Sequence, residues 1–336
     1  MEKFKNIKPV VAIVAGGYSS EYIVSLRSAQ GIWVPLDKEK YDGYIVLITK
    51  EKWCVQLENR SEIPIDKNDF SFMLDGQRIV FDFAYIIIHG APGENGQLQG
   101  YFNMLGIPHS CCGVLAAALT FDKYACNQYL KSLGVGIASS ILLRKGESSM
   151  PEKIIAELGL PLFVKPNEGG SSFGISKVTS IEQLRPAIEL AWEEGSEVLI
   201  ECYLSGVEVT CGCYKTKGQI TVLPITEIIS KNELFDYDAK YNPGGAIEIT
   251  PARISDKLTA EIQQLTAKIY DWINAKGIIR ADYIVSSDNK IWMLEVNAIP
   301  GMTATSFIPQ QVCAAGLNMT EVLTEIIEEN FHGETH

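Results

Sequence analysis

Residues 280–297 read RADYIVSSDNKIWMLEVN, in which two runs of alternating apolar and polar residues flank a short polar segment. Alternation of this kind is typical of a half-buried strand. The pair at 288–289, Asp-Asn, tolerates the left-handed dihedral angles of a tight turn, so the stretch predicts a two-stranded hairpin. With that pair at the centre of the turn, Asp282 on the first strand lies directly opposite Glu295 on the second.

The facing acids at the open end of this hairpin predict a metal site. Like charges opposite each other destabilise a sheet unless a cation lies between them. Asn297 shares a face with Glu295 because strand side chains alternate, and its amide oxygen is a hard ligand that suits Mg²⁺. A solvated outer face is the alternative, which the apolar residues Leu294 and Val296 disfavour. The predicted metal ligands are Asp282, Glu295 and Asn297.

A glycine–serine loop at residues 168–174 (EGGSSFG) follows the predicted strand that contains Lys165. It lacks the Gly-Lys-Ser/Thr of a Walker A loop and joins two strands, so it predicts a mobile flap. Its backbone N–H groups and the Ser171 and Ser172 hydroxyls can surround phosphate oxygens, and Lys165 can reach an α- or β-phosphate. Together with the acidic site downstream, this loop indicates a nucleotide.

Two further segments carry candidate site residues. Residues 198–208 (VLIECYLSGVE) predict a strand with an acid at its end and another after a glycine, which suits the edge of a nucleoside pocket or a simple hinge. In the N-terminal region Ser20 can cap a helix that begins at Glu21, and His89 ends a strand before a glycine-rich segment. The segment that follows His89 contains more glycines than expected if His89 had only a packing role.

The remaining patterns define the overall organisation. Strands at 9–15, 44–48 and 83–88, with a helix after the first, predict an open parallel sheet whose ligands gather at the carboxyl ends of its strands. A single helix is predicted over residues 114–133, followed by shorter elements and a strand-rich region. A length of 336 residues predicts two or three domains.

Composition excludes several classes of protein. A net charge of −12 without a basic cluster argues against nucleic acid, and no apolar run reaches the ~18 residues of a membrane helix. The eight cysteines show no CxxC spacing, and with only four histidines this disfavours a zinc site. We expect free thiols in a cytoplasmic protein. Residues 16–17 do not form the GxGxxG of a dinucleotide-binding oxidoreductase.

The ordered series of motifs resembles that of the D-alanine–D-alanine ligases of the ATP-grasp superfamily over nearly the whole chain. The motifs are residues 16–21 (GGYSSE), 89–100 (HGAPGENGQLQG), 122–123 (DK), 165–166 (KP), 170–174 (GSSFG), 240–241 (KY) and 295–303 (EVNAIPGMT). The resemblance implies an α/β fold with α+β elements in three domains. These are an N-terminal open parallel-sheet domain that binds substrate (1–111), a small central α+β domain with the flap (112–196) and a mainly antiparallel C-terminal domain with the metal site (197–336).

The resemblance also implies a role for each site residue. ATP would be bound by Lys123, Lys165, Ser171, Ser172, Glu201, Tyr203, Leu204, Glu208 and Lys240. Two Mg²⁺ or Mn²⁺ ions would be held by Asp282, Glu295 and Asn297. The first D-alanine would have its ammonium at Glu21 and its carboxylate near His89, and Glu21, Ser171 and Tyr241 would form a hydrogen-bonded chain. Arg280 and the Gly301 N–H would stabilise an oxyanion, and Ser306 and Phe307 would bind the second carboxylate.

The implied function is ATP-dependent ligation of two D-alanines through a D-alanyl phosphate, for peptidoglycan precursor synthesis, by a homodimer. Ligation to D-serine is an alternative, and ligation to D-lactate is disfavoured because Tyr241 stands where the depsipeptide ligases have histidine. A non-catalytic nucleotide sensor is a remote alternative, since it has no need of Glu21, His89 and Arg280. Departures from the family pattern include Asn127 in place of a basic residue, and Phe307 in place of leucine, which narrows the second-substrate pocket.

Overall fold

The computed structural model describes residues 8–147, 150–170, 173–230 and 246–332 of the chain. These residues form four β-sheets and the helices that pack on them. The helices are α1 (Tyr22–Trp33), α2 (Gln97–Leu105), α3 (Val114–Phe121), α4 (Lys123–Ser132), α5 (Pro151–Leu158), α6 (Ile181–Glu194), α7 (Asp256–Trp272), α8 (Phe307–Ala314) and α9 (Met319–His332).

The first sheet lies in the N-terminal part of the chain. In spatial order its strands are β4 (Glu62–Pro64), β3 (Trp53–Gln56), β2 (Asp42–Ile48), β1 (Val10–Gly16) and β7 (Phe83–Ile86), and a separate hairpin contains β5 (Ser71–Leu74) and β6 (Gln77–Val80). β2, β1 and β7 run parallel as predicted, whereas β3 and β4 are antiparallel additions at one edge. The segments after β1 and β7 therefore meet at one end of the sheet, where the Ser19 hydroxyl donates to the His89 carbonyl over 2.9 Å.

The other two sheets are antiparallel. The second has the order β10 (Ser176–Val178), β9 (Leu162–Pro166), β11 (Glu197–Cys202) and β8 (Ser140–Arg144). The third has the order β15 (Ala246–Ile249), β14 (Thr226–Ser230), β12 (Val207–Thr216), β16 (Ile278–Val285) and β17 (Ile291–Asn297), with β13 (Gln219–Val222) paired to β12. β16 and β17 form the predicted hairpin, and the glycine–serine loop joins β9 to β10 as predicted.

Two predicted helix boundaries were wrong. α1 begins at Tyr22 rather than Glu21, and the Ser20 side chain does not cap it; instead the N–H of Glu21 donates to the Ser19 hydroxyl over 3.3 Å. The predicted helix over residues 114–133 is divided into α3 and α4 by Asp122, whose backbone is extended. The Asp122 carboxylate accepts from the N–H of Ala125 over 2.9 Å, so it caps a new helix whose first residue is Lys123.

The buried apolar side chains form three clusters, one on each of the larger sheets. The C-terminal helix α9 belongs to the first cluster, where Ile326 and Ile327 are buried and Phe331 stacks on Phe83 with ring centroids 5.3 Å apart. Each fully buried isoleucine contributes about 1.5–3 kcal/mol to folding. α9 thus attaches the C-terminal end of the described chain to the N-terminal sheet.

The predicted domain limits stay a prediction, and the sheets favour one change to them. β11 begins at Glu197, immediately after the predicted limit at residue 196, yet it pairs with both β8 and β9 of the second sheet. Side chains of α3 and α4, including Ala117 and Leu130, belong to the core of the third sheet. We therefore propose that the small central domain is the segment of the second sheet, residues 140–202.

Within the described ranges, no helix combines the length and the apolar character needed to cross a bilayer. All eight cysteines lie in these ranges as free thiols. Burial raises the pKa of Cys112 to about 11, so this thiol stays protonated at neutral pH.

Stability is expected to fall at acid pH because His109 is buried. Burial lowers the pKa of His109 from 6.5 to about 4, and its Nε2 lies 3.2 Å from the Asn103 Oδ1. The unfolded chain takes up this proton at higher pH than the folded chain, so the unfolding free energy decreases as the pH falls, by about 2 kcal/mol between pH 7 and pH 5. His109→Gln keeps a donor for Asn103 but does not titrate. Its melting temperature is expected to fall less on acidification than that of the wild type. If the melting temperatures of the two proteins fell equally with pH, the effect could not be assigned to His109.

Candidate active site

Three open cavities of about 990, 1060 and 1110 Å³ share lining residues. Glu295 lines all three, Lys165 lines the second and third, and Arg280 lines the first and third. The first cavity is also bordered by Glu21 and His89, which come from the loops after β1 and β7. N-terminal loops, the glycine–serine loop and the β16–β17 hairpin therefore face one continuous site.

The predicted acid pair lies at the centre of this site. Asp282 is directly opposite Glu295, as the sequence predicted. The Asn297 Nδ2 lies 3.3 Å from the Asp282 Oδ2 and 3.4 Å from the Glu295 Oε1, so all three side chains converge. The described residues contain no cluster of three or more Cys, His, Asp or Glu that could hold a metal ion. Two carboxylates and one amide fit a hard cation that takes further ligands from phosphate or water.

Arg280 is held against this pair by two contacts. Its Nε and Nη2 donate to the two oxygens of Asp282 over 2.9 and 2.8 Å, and its guanidinium lies 5.3 Å from the centre of the Phe307 ring. The Thr210 hydroxyl donates to the same Asp282 carboxylate over 2.5 Å. The guanidinium therefore has one orientation, and its charge offsets part of the repulsion between the facing acids. Sequence reasoning did not predict this ion pair, although residues two apart on a strand share a face.

Two buried lysines provide positive charge beside Glu295. The Lys165 Nζ lies 2.6 Å from the Glu201 Oε2, and the Lys123 Nζ lies 3.9 Å from the Glu295 Oε2. Burial lowers the pKa of Lys165, but the carboxylates of Glu201 and Glu295 more than offset this, so the net pKa is raised and the ammonium is kept charged. The site is thus prepared to accept an anionic ligand such as a polyphosphate.

The start of the glycine–serine loop packs against the N-terminal region. A Cβ added to Gly170 would lie 2.9 Å from the Glu21 Oε1, so the Gly170 backbone is in close contact with the Glu21 carboxylate. Next to it, burial and the carboxylate of Glu21 raise the pKa of Glu94 to about 8, and the Gly90 N–H donates to Glu94 over 2.6 Å. The start of the glycine–serine loop and the loop after β7 therefore both border the first cavity.

Comparison with known families agrees with this arrangement. Residues 10–112 match the family model described as D-ala D-ala ligase N-terminus, and residues 129–328 match the one described as D-ala D-ala ligase C-terminus. The chain belongs to the D-alanine–D-alanine ligase family. A curated relative in this family, the D-alanine–D-alanine ligase of Azobacteroides pseudotrichonymphae genomovar. CFP2, is 64% identical over 319 residues, which cover 95% of this chain and 98% of the relative.

Solved structures support the same family and its fold. The VanG D-Ala:D-Ser ligase of Enterococcus faecalis matches with a TM-score of 0.84 and 30% identity, covering 96% of this chain and 99% of that chain. The D-alanine–D-alanine ligase of Bacillus anthracis, in complex with ATP, matches with a TM-score of 0.77 and 30% identity, covering 97% of this chain and 98% of that chain. The predicted α/β fold of the ATP-grasp ligases is thereby confirmed.

Most residues that the family resemblance implicates line the three cavities. They are Glu21, His89, Lys123, Lys165, Glu201, Leu204, Glu208, Arg280, Asp282, Glu295, Asn297, Gly301, Ser306 and Phe307. Tyr203 does not line them; its ring packs on Phe163 with centroids 5.6 Å apart. Four predicted residues of the ligase site lie outside the described residues, namely Ser171, Ser172, Lys240 and Tyr241.

Sequence reasoning missed several residues of the ligase site. Phe163, Ile175, Met293 and Leu294 make the third cavity partly apolar, which suits a flat nucleobase. Leu294 adjoins the predicted Glu295, and Phe163 and Met293 lie two residues before the predicted Lys165 and Glu295 on the same strands, whereas Ile175 has no predicted site residue beside it. Glu248 lines the first cavity and accepts from the Gln310 Nε2 over 2.5 Å. No sequence pattern distinguishes Glu248 from an ordinary strand residue.

Proposed function

We propose that this protein condenses two D-alanine molecules to D-alanyl-D-alanine, with conversion of ATP to ADP and phosphate, for peptidoglycan precursor synthesis. The observation that carries the proposal is the convergence of Glu21, Arg280 and Glu295, which come from three different elements, on adjoining cavities. Membership of the ligase family supports it. A nucleotide sensor would have no use for Glu21 and Arg280 in the same site as the phosphate-binding lysines.

The nucleotide is proposed to lie in the second and third cavities. The apolar residues of the third cavity suit adenine, with Leu204 at its edge, and Glu208 suits the ribose hydroxyls. Lys165 and Lys123 suit the phosphates because their charges are buried and close to Glu295. Use of ATP follows from the family, whose member from Bacillus anthracis was solved with ATP.

The metal prediction remains part of this proposal. Asp282, Glu295 and Asn297 are the residues that would hold Mg²⁺ or Mn²⁺, and their oxygens suit either ion. When bound, such ions supply positive charge that offsets the charge on the transferring phosphoryl group. Arg280 keeps the Asp282 carboxylate in place through its two hydrogen bonds, which supports the proposal that its oxygens are oriented for an ion. The family resemblance implies that two such ions are bound.

The chemistry requires an activated first substrate. A free carboxylate does not react with an amine, because its leaving group is poor, so the γ-phosphoryl group of ATP first converts D-alanine to an acyl phosphate. Glu21 is proposed to bind the ammonium of this D-alanine, since its carboxylate borders the first two cavities. Lys123 and Lys165 stabilise the charge that develops during the transfer.

The second step joins the amine of the other D-alanine to the acyl phosphate. Attack creates a tetrahedral intermediate whose oxyanion is proposed to meet the Arg280 guanidinium and the Gly301 N–H. Ser306 and Phe307 border the same cavity and are proposed to bind the second carboxylate. Water must be kept out, because the acyl phosphate would hydrolyse; the packing of the glycine–serine loop against Glu21 serves this purpose.

Two further predictions stay open. The homodimer is supported by exposed apolar side chains on α2 and α3, where Met104 is 88% and Leu115 81% exposed, because such side chains suit a contact with a second copy. The cytoplasmic location is supported by the proposed use of ATP. Ligation to D-serine remains an alternative, since a D-Ala:D-Ser ligase is among the matching structures at 30% identity, but no feature of the described residues favours it.

The reaction and its second substrate can be tested together. Protein, ATP and Mg²⁺ are incubated with an equimolar mixture of D-alanine, D-serine and D-lactate, and the products are identified by mass spectrometry. We expect D-alanyl-D-alanine as the main product and phosphate release only when D-alanine and Mg²⁺ are both present. A main product that contains D-serine or D-lactate would overturn the second-substrate assignment. Phosphate release with L-amino acids, at a rate similar to that with D-alanine, would overturn the proposed function.

A further inference from the structure

Both ring nitrogens of His89 are bound to the protein. The Nδ1 lies 3.1 Å from the carbonyl oxygen of Ile299, and the Nε2 lies 3.1 Å from the hydroxyl oxygen of Ser28. The His89 side chain and Ser28 are both buried, with Ser28 fully enclosed in the inner face of α1. The ring therefore connects α1 to the loop that follows β17.

The hydrogen bonds of this group have only one consistent direction. A carbonyl oxygen can only accept, so the His89 Nδ1 carries a proton and donates to Ile299. In the neutral ring the Nε2 then accepts from the Ser28 hydroxyl, and the Ser28 oxygen accepts from the N–H of Met302 over 3.3 Å. Burial lowers the pKa of His89, which keeps the ring neutral. The chain of bonds runs from the Met302 N–H through Ser28 and His89 to the carbonyl of Ile299.

The two ends of this chain lie on either side of Gly301. Ile299 precedes it by two residues and Met302 follows it directly, so the group holds the loop both before and after the glycine. α1 also packs tightly here, since a Cβ on Gly31 would lie 1.7 Å from the Met302 carbonyl oxygen. The loop backbone is thus held before Gly301 by His89, at Ile299, and after it by α1, at Met302.

We propose that Ser28 and His89 are positioning residues that aim the Gly301 N–H at the oxyanion of the tetrahedral intermediate. The inference rests on the proposed function. It assigns Ser28 a role that no motif indicated, and it revises the role that the family resemblance implied for His89. With both nitrogens engaged, the His89 ring has no N–H left to bind the carboxylate of the first D-alanine; it acts on the reaction through the Gly301 loop instead.

The central experiment compares Ser28→Ala with a matched control, Ser25→Ala. Ser25 is also fully buried on α1, and its hydroxyl likewise bridges two backbone groups, donating to Ile87 over 2.7 Å and accepting from Gly16 over 2.9 Å. It does not contact the loop around Gly301. Both variants lose one buried hydroxyl, so we expect similar decreases in melting temperature. A difference between them in catalysis then reports on the loop rather than on folding.

For Ser28→Ala we expect kcat for dipeptide formation to fall about 30-fold, with the KM for ATP unchanged within about twofold. The ratio of dipeptide to phosphate falls as well, because the acyl phosphate forms normally but is attacked more slowly by the amine. A phosphinate analogue of the dipeptide, in which tetrahedral phosphorus replaces the carbonyl carbon, is expected to bind about 30-fold more weakly while ADP affinity stays constant. Ser25→Ala is expected to show none of these changes.

A second variant, at His89, tests the proposal even if the Ser28→Ala protein does not fold. His89→Asn retains an N–H at the position of Nδ1 for Ile299 but loses the acceptor for Ser28. We expect the same fall in kcat as for Ser28→Ala and no further fall in the double variant, since both substitutions break one chain of hydrogen bonds. An additional increase of the KM for D-alanine in His89→Asn alone would favour direct substrate binding by His89 and would overturn the revised role.

A spectroscopic measurement separates this inference from the proposed function. In protein labelled with ¹⁵N-histidine, His89 is expected to show a protonated Nδ1 and an unprotonated Nε2 whose signal shifts in Ser28→Ala and not in Ser25→Ala. A wild type that forms dipeptide, together with equal kcat for the two serine variants, would overturn the inference and leave the proposed function intact. A wild type with the expected Nε2 signal but no dipeptide would overturn the proposed function and, with it, the catalytic purpose of the positioning.

Discussion

Replacement of Glu295 by glutamine is expected to lower kcat about 10³-fold without loss of the folded state. Glu295 lines all three cavities, faces Asp282 across the hairpin and lies 3.9 Å from the Lys123 ammonium. Glutamine has the same shape but lacks the negative charge that draws a divalent cation to the nucleotide phosphates. The measurement is ADP release at saturating D-alanine, together with the Mg²⁺ concentration needed for half-maximal rate, which should increase.

Asp288→Asn is the matched control for this substitution. Asp288 lies in the turn of the same hairpin, 2.9 Å from the Lys290 ammonium, and its side chain is exposed. Loss of its charge is expected to change kcat by less than about twofold, because exposed ion pairs contribute little and the turn lies away from the cavities. Near-normal turnover of Glu295→Gln, with an unchanged Mg²⁺ requirement, would mean that the facing acids are not the metal site.

Replacement of Arg280 by lysine is expected to lower kcat by about 10²- to 10³-fold, even though the positive charge is kept. A lysine cannot make both hydrogen bonds to Asp282, nor place a planar guanidinium near the Phe307 ring. The oxyanion would then meet a mobile charge instead of a fixed donor. Because the acyl phosphate can still form, the amount of dipeptide per ADP released is expected to decrease, which is measured by comparing the two products.

The chain contains a second arginine with the same hydrogen-bond geometry outside the site. Arg253 donates through Nε and Nη2 to the two oxygens of Glu227 over 2.9 and 2.8 Å, and it does not line any of the three cavities. Arg253→Lys is expected to change kcat by less than about twofold. If the two variants lost activity equally, the effect of Arg280→Lys would be a general effect of breaking a bidentate pair, and the oxyanion role would be refuted.

Much of the fold was accessible from the sequence because its signals are local. Alternating apolar residues identified β16 and β17, and the lack of a helix after the glycine–serine loop distinguished it from a Walker A loop. The elements that were missed have weak local signals. β3 to β6 are only three or four residues long, and at Asp122 the capping bond from the Ala125 N–H is supplemented by one from Asn167, whose Nδ2 lies 2.8 Å from the Asp122 Oδ1. That bond joins residues far apart in the chain.

The predicted pairing of Asp282 with Glu295 is correct because two deviations from the predicted hairpin register cancel each other. A turn centred on residues 288–289 would pair Val285 with Trp292, but the structure pairs Val285 with Ile291. A bulge between Tyr283 and Asp282 then leaves Leu294 as an extra residue and restores the predicted register at the acids. Without the bulge, Glu295 would face the neighbour of Asp282, and since a slip of one residue reverses the face of every side chain, the site would not form.

The sequence by itself therefore determined which residue types were available: hard oxygen ligands at one end of a hairpin, a lysine before a glycine–serine loop, and the family to which their order belongs. The tertiary structure alone decided how they meet. The bulge that brings Glu295 opposite Asp282 and the bonds from the Arg280 guanidinium to Asp282 arise within the hairpin, and the link from Ser28 through His89 to the Gly301 loop depends on contacts between distant segments. Such contacts follow from the packing of three cores against one another, which no local pattern encodes.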